Sequence, residues 1–128
     1  MSKAIIVLGM HRSGTSLVAN ILHELGVNMG KNLLSPNPSN PRGYFENRKF
    51  VILNHKILAL SGGNWTYPPD KINAEPLKNT IQRLINEEKT ELWGFKDPCN
   101  TLTIEAYIPY LENPHFIICW RNPFAIAE

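Results

Sequence analysis

The sequence predicts an α/β fold in which a parallel sheet is flanked by helices. Short apolar segments rich in β-branched residues alternate with longer segments of helical periodicity. Polar motifs directly follow the apolar segments, where the carboxyl ends of parallel strands would lie. The chain has 128 residues, of which 43% are hydrophobic and 19% charged. That composition is typical of one globular domain, so we expect a single domain over residues 1–128.

Three apolar segments are predicted strands: residues 4–8, 92–96 and 115–120. The first, AIIVL, is continuously apolar, as is typical of a strand covered on both faces, and it stops at Gly9. The second, LWGFK, is ended by the pair Asp97–Pro98, and the third leads into Arg121. Each predicted strand is therefore followed by a motif whose residues could bind a ligand or take part in catalysis.

Helical periodicity connects these strands. Apolar residues recur at helical spacing from Ser13 to a stop at Gly26, and again from 47 to 60, where Asn54 lies among apolar residues. Further helices are predicted over 75–89 and 101–111, the last interrupted at Pro109. Residues 33–43, LLSPNPSNPRG, are expected to form an irregular loop, and 124–128 begin another helix. We expect the sheet to be incomplete at its C-terminal side.

Charge and composition exclude several classes of protein. With 13 Lys and Arg against 11 Asp and Glu, the formal charge of +2 is too small to predict a nucleic-acid or anionic-membrane surface. The longest apolar stretches are too short to span a membrane, and the first lacks the features of a signal peptide. We therefore expect a soluble, cytoplasmic chain. Cys99 and Cys119 lack metal-ligand spacing and are expected to be buried, reduced thiols.

The loop between the first strand and helix is predicted to bind an anion. Gly9 and Gly14 are spaced as in the first half of a P-loop, whose backbone N–H groups surround a phosphate at a helix N-terminus. A nucleotide kinase would have lysine where this chain has Thr15, although Ser16 keeps a hydroxyl at the magnesium-binding position. The cation is instead Arg12, inside the loop, which can make bidentate contacts with an oxyanion.

Two motifs resemble one family. GMHRSGTS is similar to the 5′-phosphosulfate loop of sulfotransferases that use 3′-phosphoadenosine 5′-phosphosulfate (PAPS), and ICWRNPFAIAE resembles their 3′-phosphate motif. The resemblance implies a three-layer P-loop-like fold, PAPS as cosubstrate without a metal, and transfer of a sulfonate to a hydroxyl or amine. It assigns the 5′-phosphosulfate to Arg12, Ser13, Gly14, Thr15 and Ser16, and the 3′-phosphate to Arg121.

A third motif, WGFKDP, suggests catalytic residues. Lys96 matches the family lysine that contacts the transferring sulfonate, but Pro98 occupies the position of the histidine base found in the cytosolic branch. Arg12 and Lys96 are candidates to stabilise the charge that develops on the bridging oxygen. Other branches resemble this chain in using glutamate as base, and Glu46 in NPRGYFENR is the best match. Asp97 is the second candidate.

The resemblance covers only the N-terminal half of a usual sulfotransferase. The serine of the 3′-phosphate motif and the later strands have no counterpart in the sequence. We therefore expect a truncated domain, which could lack activity as this short chain, or one that completes its core by self-association. A P-loop nucleotide kinase and a noncatalytic phosphate-binding or assembly module are the alternatives. The sequence does not predict the acceptor, because its pocket would be formed by loops.

Overall fold

A computed structural model of the protein describes residues 2–9, 14–30 and 46–120. Within these ranges, strands β1 (Lys3–Leu8), β2 (Leu92–Lys96) and β3 (Pro114–Ile118) form one sheet in the order β2-β1-β3. Both neighbours pair with β1 in parallel. The predicted α/β class with a parallel sheet is confirmed, and β2 has the predicted bounds.

Four α-helices connect the strands in the described part of the chain: α1 (Thr15–Glu24), α2 (Arg48–Leu60), α3 (Lys78–Glu88) and α4 (Asn100–Tyr107). Short 3₁₀ turns, Glu75–Leu77 and Ile108–Tyr110, precede α3 and follow α4. Each turn has a proline near its start, where the missing N–H group costs no helical hydrogen bond. None of the described helices has the length and apolar character needed to cross a membrane.

Helices cover both faces of the sheet because the side chains of β1 alternate between two cores. Ala4 and Ile6 contribute to the larger core, together with β2, α2, α3 and α4. Ile5 faces the other way and packs with Ala19 of α1 and with Met29 in the smaller core. The sheet therefore lies between α1 on one side and three helices on the other.

Aromatic rings at the centre of the larger core attach α2 and α4 to β2. Phe50 and Phe95 are stacked nearly parallel with ring centroids 4.0 Å apart, and Tyr107 approaches Phe50 edge-on at 5.8 Å. Trp93 lies 6.1 Å from Phe50. This packing fixes the start of α2 near the carboxyl end of β2, which determines where the candidate site forms.

Two elements are less buried than their apolar sequences suggest. The apolar residues that predicted α1 include Leu17, Ile21 and Leu25, which are exposed, whereas Thr15 and Ala19 are buried. In β3, Phe116 and Ile118 are also exposed. The predicted loop at 33–43 and the predicted helix at 124–128 lie outside the described residues.

Candidate functional site

The site begins where β1 ends and α1 starts. Gly14 precedes α1 with φ 89°, a left-handed conformation that glycine adopts without steric cost, and it offers no side-chain cap. The first backbone N–H groups of a helix have no acceptor within the helix, and the helix dipole favours negative charge there. These free N–H groups and the helix dipole make the start of α1 a suitable place to hold an anion. Thr15, the first residue of α1, is buried there.

Lys96 brings a positive charge to the same place. It is the last residue of β2 and pairs with Val7 near the end of β1. Its Nζ donates a hydrogen bond to Ser16 Oγ, 3.0 Å away, and its side chain is only 2% exposed. Such burial is unusual for lysine and requires compensating partners.

Glu46 is one of those partners. Its Oε1 lies 3.3 Å from Lys96 Nζ, and the residue is 7% exposed. The structure thus brings together three residues that the sequence had nominated separately, from the first turn of α1, the end of β2 and the segment before α2.

The position of Glu46 is fixed by its neighbour Asn47, the N-cap of α2. The Asn47 side chain accepts a hydrogen bond from Lys49 N at 3.0 Å and donates one to Glu88 Oε1 at 2.6 Å. Gly30 packs directly against the Asn47 amide, where a Cβ atom would overlap it. These three contacts hold Asn47 in place, and the adjacent Glu46 is thereby positioned beside Lys96.

Burial and neighbouring charges determine the electrostatics of the site. Burial raises the pKa of Glu46 above its ordinary value of 4.5, the Lys96 ammonium opposes that rise, and the nearby Asp97 adds to it. The pKa of Cys99 is raised to about 12 by burial and by the carboxylates of Asp97 and Glu46. Cys99 therefore stays a thiol at neutral pH and is not a nucleophile. Cys99 is buried as predicted, Cys119 is half-buried, and both are free.

Asp97, the second candidate base, is held by a polar network beneath the site. Asn54 of α2 is fully buried, and its Nδ2 donates to Asp97 Oδ2 and to Asn100 Oδ1, each at 2.8 Å. Thr103 and Tyr107 donate their hydroxyl protons to Asn54 Oδ1. Sequence reasoning missed this network, although the polar Asn54 on the apolar face of α2 was its signal.

The network has one unsatisfied member. Asn100 Nδ2 is buried without a hydrogen-bond partner in the described part of the chain, which is uncommon for a buried donor. Its neighbour Thr101 accepts a hydrogen bond from Gly9 N at 3.2 Å. The start of α4 is thereby attached to the end of β1, at the loop predicted to bind an anion.

The predicted site residues are described only in part. Arg12, Ser13 and Arg121 lie outside the described residues, so their roles stay predictions. Of the predicted anion-binding residues, Gly14, Thr15 and Ser16 are described and lie at the start of α1. Among residues 2–9, 14–30 and 46–120, no group of three or more His, Cys, Asp or Glu side chains is arranged to hold a metal ion.

Comparison with known proteins identifies no relative. No protein-family model, no curated protein and no solved structure matches the chain. Its function must therefore be inferred from its own residues and their geometry.

Proposed function

We propose that the chain is the donor-binding portion of a PAPS-dependent sulfotransferase, which transfers a sulfonate to a hydroxyl or amine. The observation that carries the proposal is the contact of the Lys96 ammonium with Ser16 Oγ and Glu46 Oε1 at the start of α1. A cation, a carboxylate and a helix N-terminus at the carboxyl ends of parallel strands suit group transfer from an anionic donor.

In this proposal, the start of α1 and Arg12 bind the 5′-phosphosulfate. The backbone N–H groups of residues 14–16 supply hydrogen bonds and the favourable end of the helix dipole. Arg12 adds a permanent charge with bidentate geometry. Arg121 binds the 3′-phosphate, the group that distinguishes this donor from an ordinary nucleoside phosphosulfate.

Lys96 and Glu46 carry the chemistry. The acceptor oxygen or nitrogen forms a bond to sulfur while the bond from sulfur to the 5′-phosphate oxygen breaks, which leaves adenosine 3′,5′-bisphosphate. Lys96 stabilises the charge that develops on the bridging oxygen. Glu46 takes the acceptor's proton, and its raised pKa makes it a stronger base than an exposed glutamate.

The contact between Lys96 and Ser16 favours this reaction over that of a nucleotide kinase. In a P-loop kinase, the hydroxyl after the loop binds magnesium. Here Ser16 Oγ accepts a hydrogen bond from an ammonium group 3.0 Å away. A cation supplied by the protein thus lies where the kinase reaction would require a metal ion.

Calorimetric titration of the purified chain tests the proposal. We expect adenosine 3′,5′-bisphosphate to bind without metal, and Arg12→Ala and Arg121→Ala to weaken binding by at least about tenfold each, since each removes a charged phosphate contact. Arg83→Ala is the matched control, because Arg83 is exposed on α3 and should leave the affinity unchanged.

Four other results would contradict or change the proposal. Tighter binding of magnesium ATP than of the bisphosphate would overturn the proposal in favour of a kinase. Absence of binding to either ligand would overturn the proposal for this chain. Bisphosphate binding that Arg12→Ala and Arg121→Ala leave unchanged would show that a different surface holds the ligand. Bisphosphate binding without transfer from PAPS to any of a panel of alcohols, phenols and amines would favour a noncatalytic module.

A further inference from the structure

The contact between Lys96 and Glu46 creates a conflict for an anionic ligand. Lys96 Nζ contacts both Ser16 Oγ, on the first turn of α1, and Glu46 Oε1, 3.3 Å away. A sulfonate or phosphate at the start of α1 would compete with Glu46 for the same ammonium. Even where Arg12 adds charge to the ligand, the Lys96 ammonium cannot keep its closest contact with both anions in a buried site.

The surroundings of Glu46 determine its protonation state once Lys96 is withdrawn. Within the described residues, the charged groups that act on Glu46 are Lys96 at the end of β2 and Asp97 directly after it. Cys99, which precedes α4, is also electrostatically coupled to Glu46 but is a neutral thiol. From the α3 side, Glu88 is bonded to Asn47 instead. Without Lys96, Glu46 would be a buried carboxylate facing a second carboxylate, so its charged form would be strongly disfavoured.

We propose that an anion bound at the start of α1 withdraws Lys96 from Glu46, and that Glu46 then takes up a proton from solvent. This inference rests on the proposed function and adds a regulatory step to it. A protonated carboxyl is not a base, so this proton must return to solvent before Glu46 takes the proton of the acceptor. In the free chain, the ion pair with Lys96 keeps Glu46 in its carboxylate form.

Linkage makes the inference measurable. If binding raises the pKa of Glu46, protons are taken up on binding at any pH between the two pKa values. The same coupling requires the ligand to bind more tightly as the pH falls through that interval, by up to about tenfold per pH unit for one whole proton. An ion pair that stays intact on binding produces neither effect.

The experiment is calorimetric titration with adenosine 3′,5′-bisphosphate near pH 7 in two non-phosphate buffers of different ionisation enthalpy. The dependence of the binding heat on the buffer gives the number of protons taken up. We expect the wild-type chain to take up about half a proton or more beyond the value for Glu46→Gln. The ligand's own phosphates contribute equally to both values, so the difference isolates Glu46.

Two further measurements complete the test. Glu105→Gln, which alters an exposed glutamate on α4, should keep the wild-type proton uptake. Infrared difference spectra of the wild-type chain labelled with isotopic glutamate should show a protonated glutamate carboxyl band on ligand binding, and this test does not depend on the folding of a variant.

The outcomes separate this inference from the proposed function. Bisphosphate binding with equal proton uptake in wild type and Glu46→Gln, and without the glutamate band, would overturn the inference while leaving the donor site in place. Failure of the bisphosphate to bind the wild-type chain would overturn the donor site, and the inference with it.

Discussion

Strands β2 and β3 differ in environment although they have the same length and the same partner. Each has five residues and pairs in parallel with β1, on opposite sides. β2 is buried from Trp93 to Lys96 because α2, α3 and α4 cover one of its faces and α1 contacts the other. In β3, Phe116 is 41% exposed and Ile118 is 74% exposed.

This difference shows where buried charge can be maintained. The end of β2 carries Lys96 and Asp97, both buried and both hydrogen-bonded to other elements. The described residues after β3 are Cys119 and the exposed Trp120. Electrostatic interactions are stronger where water is excluded. The candidate chemistry therefore lies at β2, the buried edge strand, and not at the more exposed β3.

Replacing one phenylalanine in each strand should show the largest contrast. Phe95→Ala should lower the free energy of unfolding by about 4 kcal/mol, because it removes a fully buried ring stacked on Phe50. Phe116→Ala should cost about 1 kcal/mol or less, since its ring is already partly in water. Chemical denaturation of both variants measures the difference. Equal losses would mean that β3 is covered in solution, for example by a second copy of the chain.

Lys96→Met should have the next largest effect, and the effect should depend on pH. It leaves the buried Glu46 carboxylate without its ammonium partner, which should cost about 3 kcal/mol near pH 8. Burial and Asp97 already raise the pKa of Glu46 above 4.5, and loss of Lys96 raises it further. The folded state then binds this proton more tightly than the unfolded chain does, so the destabilisation should shrink as the pH falls through the folded pKa toward 4.5.

Two variants control this measurement. The double variant Glu46→Gln/Lys96→Met removes both charges and should recover most of the lost stability at neutral pH. Lys56→Met changes an exposed lysine on α2 and should alter stability by less than about 0.5 kcal/mol. Urea denaturation near pH 8 and near pH 5 measures all three. A loss for Lys96→Met that is the same at both values would show that Glu46 does not titrate in this range.

Much of the fold could be predicted because its signals are local. The apolar run in β2 and its stop at Asp97–Pro98 determine that strand's bounds, and the 3.6-residue spacing of Phe50, Leu53 and Ile57 determines α2. The same kind of pattern failed for the buried face of α1. There, Leu17 and Ile21 are exposed while Ala19 packs on the sheet, because close packing against Met29 and Ile5 favours a small side chain.

The site was predicted only in part, because its contacts join distant segments. Sequence motifs nominated Ser16, Glu46 and Lys96, but no local pattern states that one ammonium contacts the other two. That contact depends on the β1–β2 register and on the attachment of α2 to β2. The role of Asn54 likewise depends on the approach of α2 to α4, which is a tertiary contact with no fixed spacing in sequence.

Asn54→Ala should have the smallest of the three effects, a loss of about 2 kcal/mol. Removal of the amide leaves the Tyr107 hydroxyl without its acceptor and removes the Asn54 donor from Asp97 Oδ2, whereas Thr103 keeps the Cys99 carbonyl as an acceptor at 3.2 Å. Thr103→Val, which removes one donor at constant shape, should cost about 1 kcal/mol. Asn79→Ala is the matched control, because Asn79 is exposed on α3, and it should change stability by less than about 0.5 kcal/mol.

The proton uptake of Asn54→Ala on bisphosphate binding would show whether the polar network after β2 also acts on Glu46. If the network positions Asp97 beside Glu46, its loss should weaken the coupling between the two carboxylates and reduce the proton uptake on bisphosphate binding. A variant that loses stability but keeps wild-type proton uptake would show that the network serves only the packing of α2 against α4. Asp97→Asn distinguishes the two cases, because it removes the second charge while keeping an oxygen to accept from Asn54.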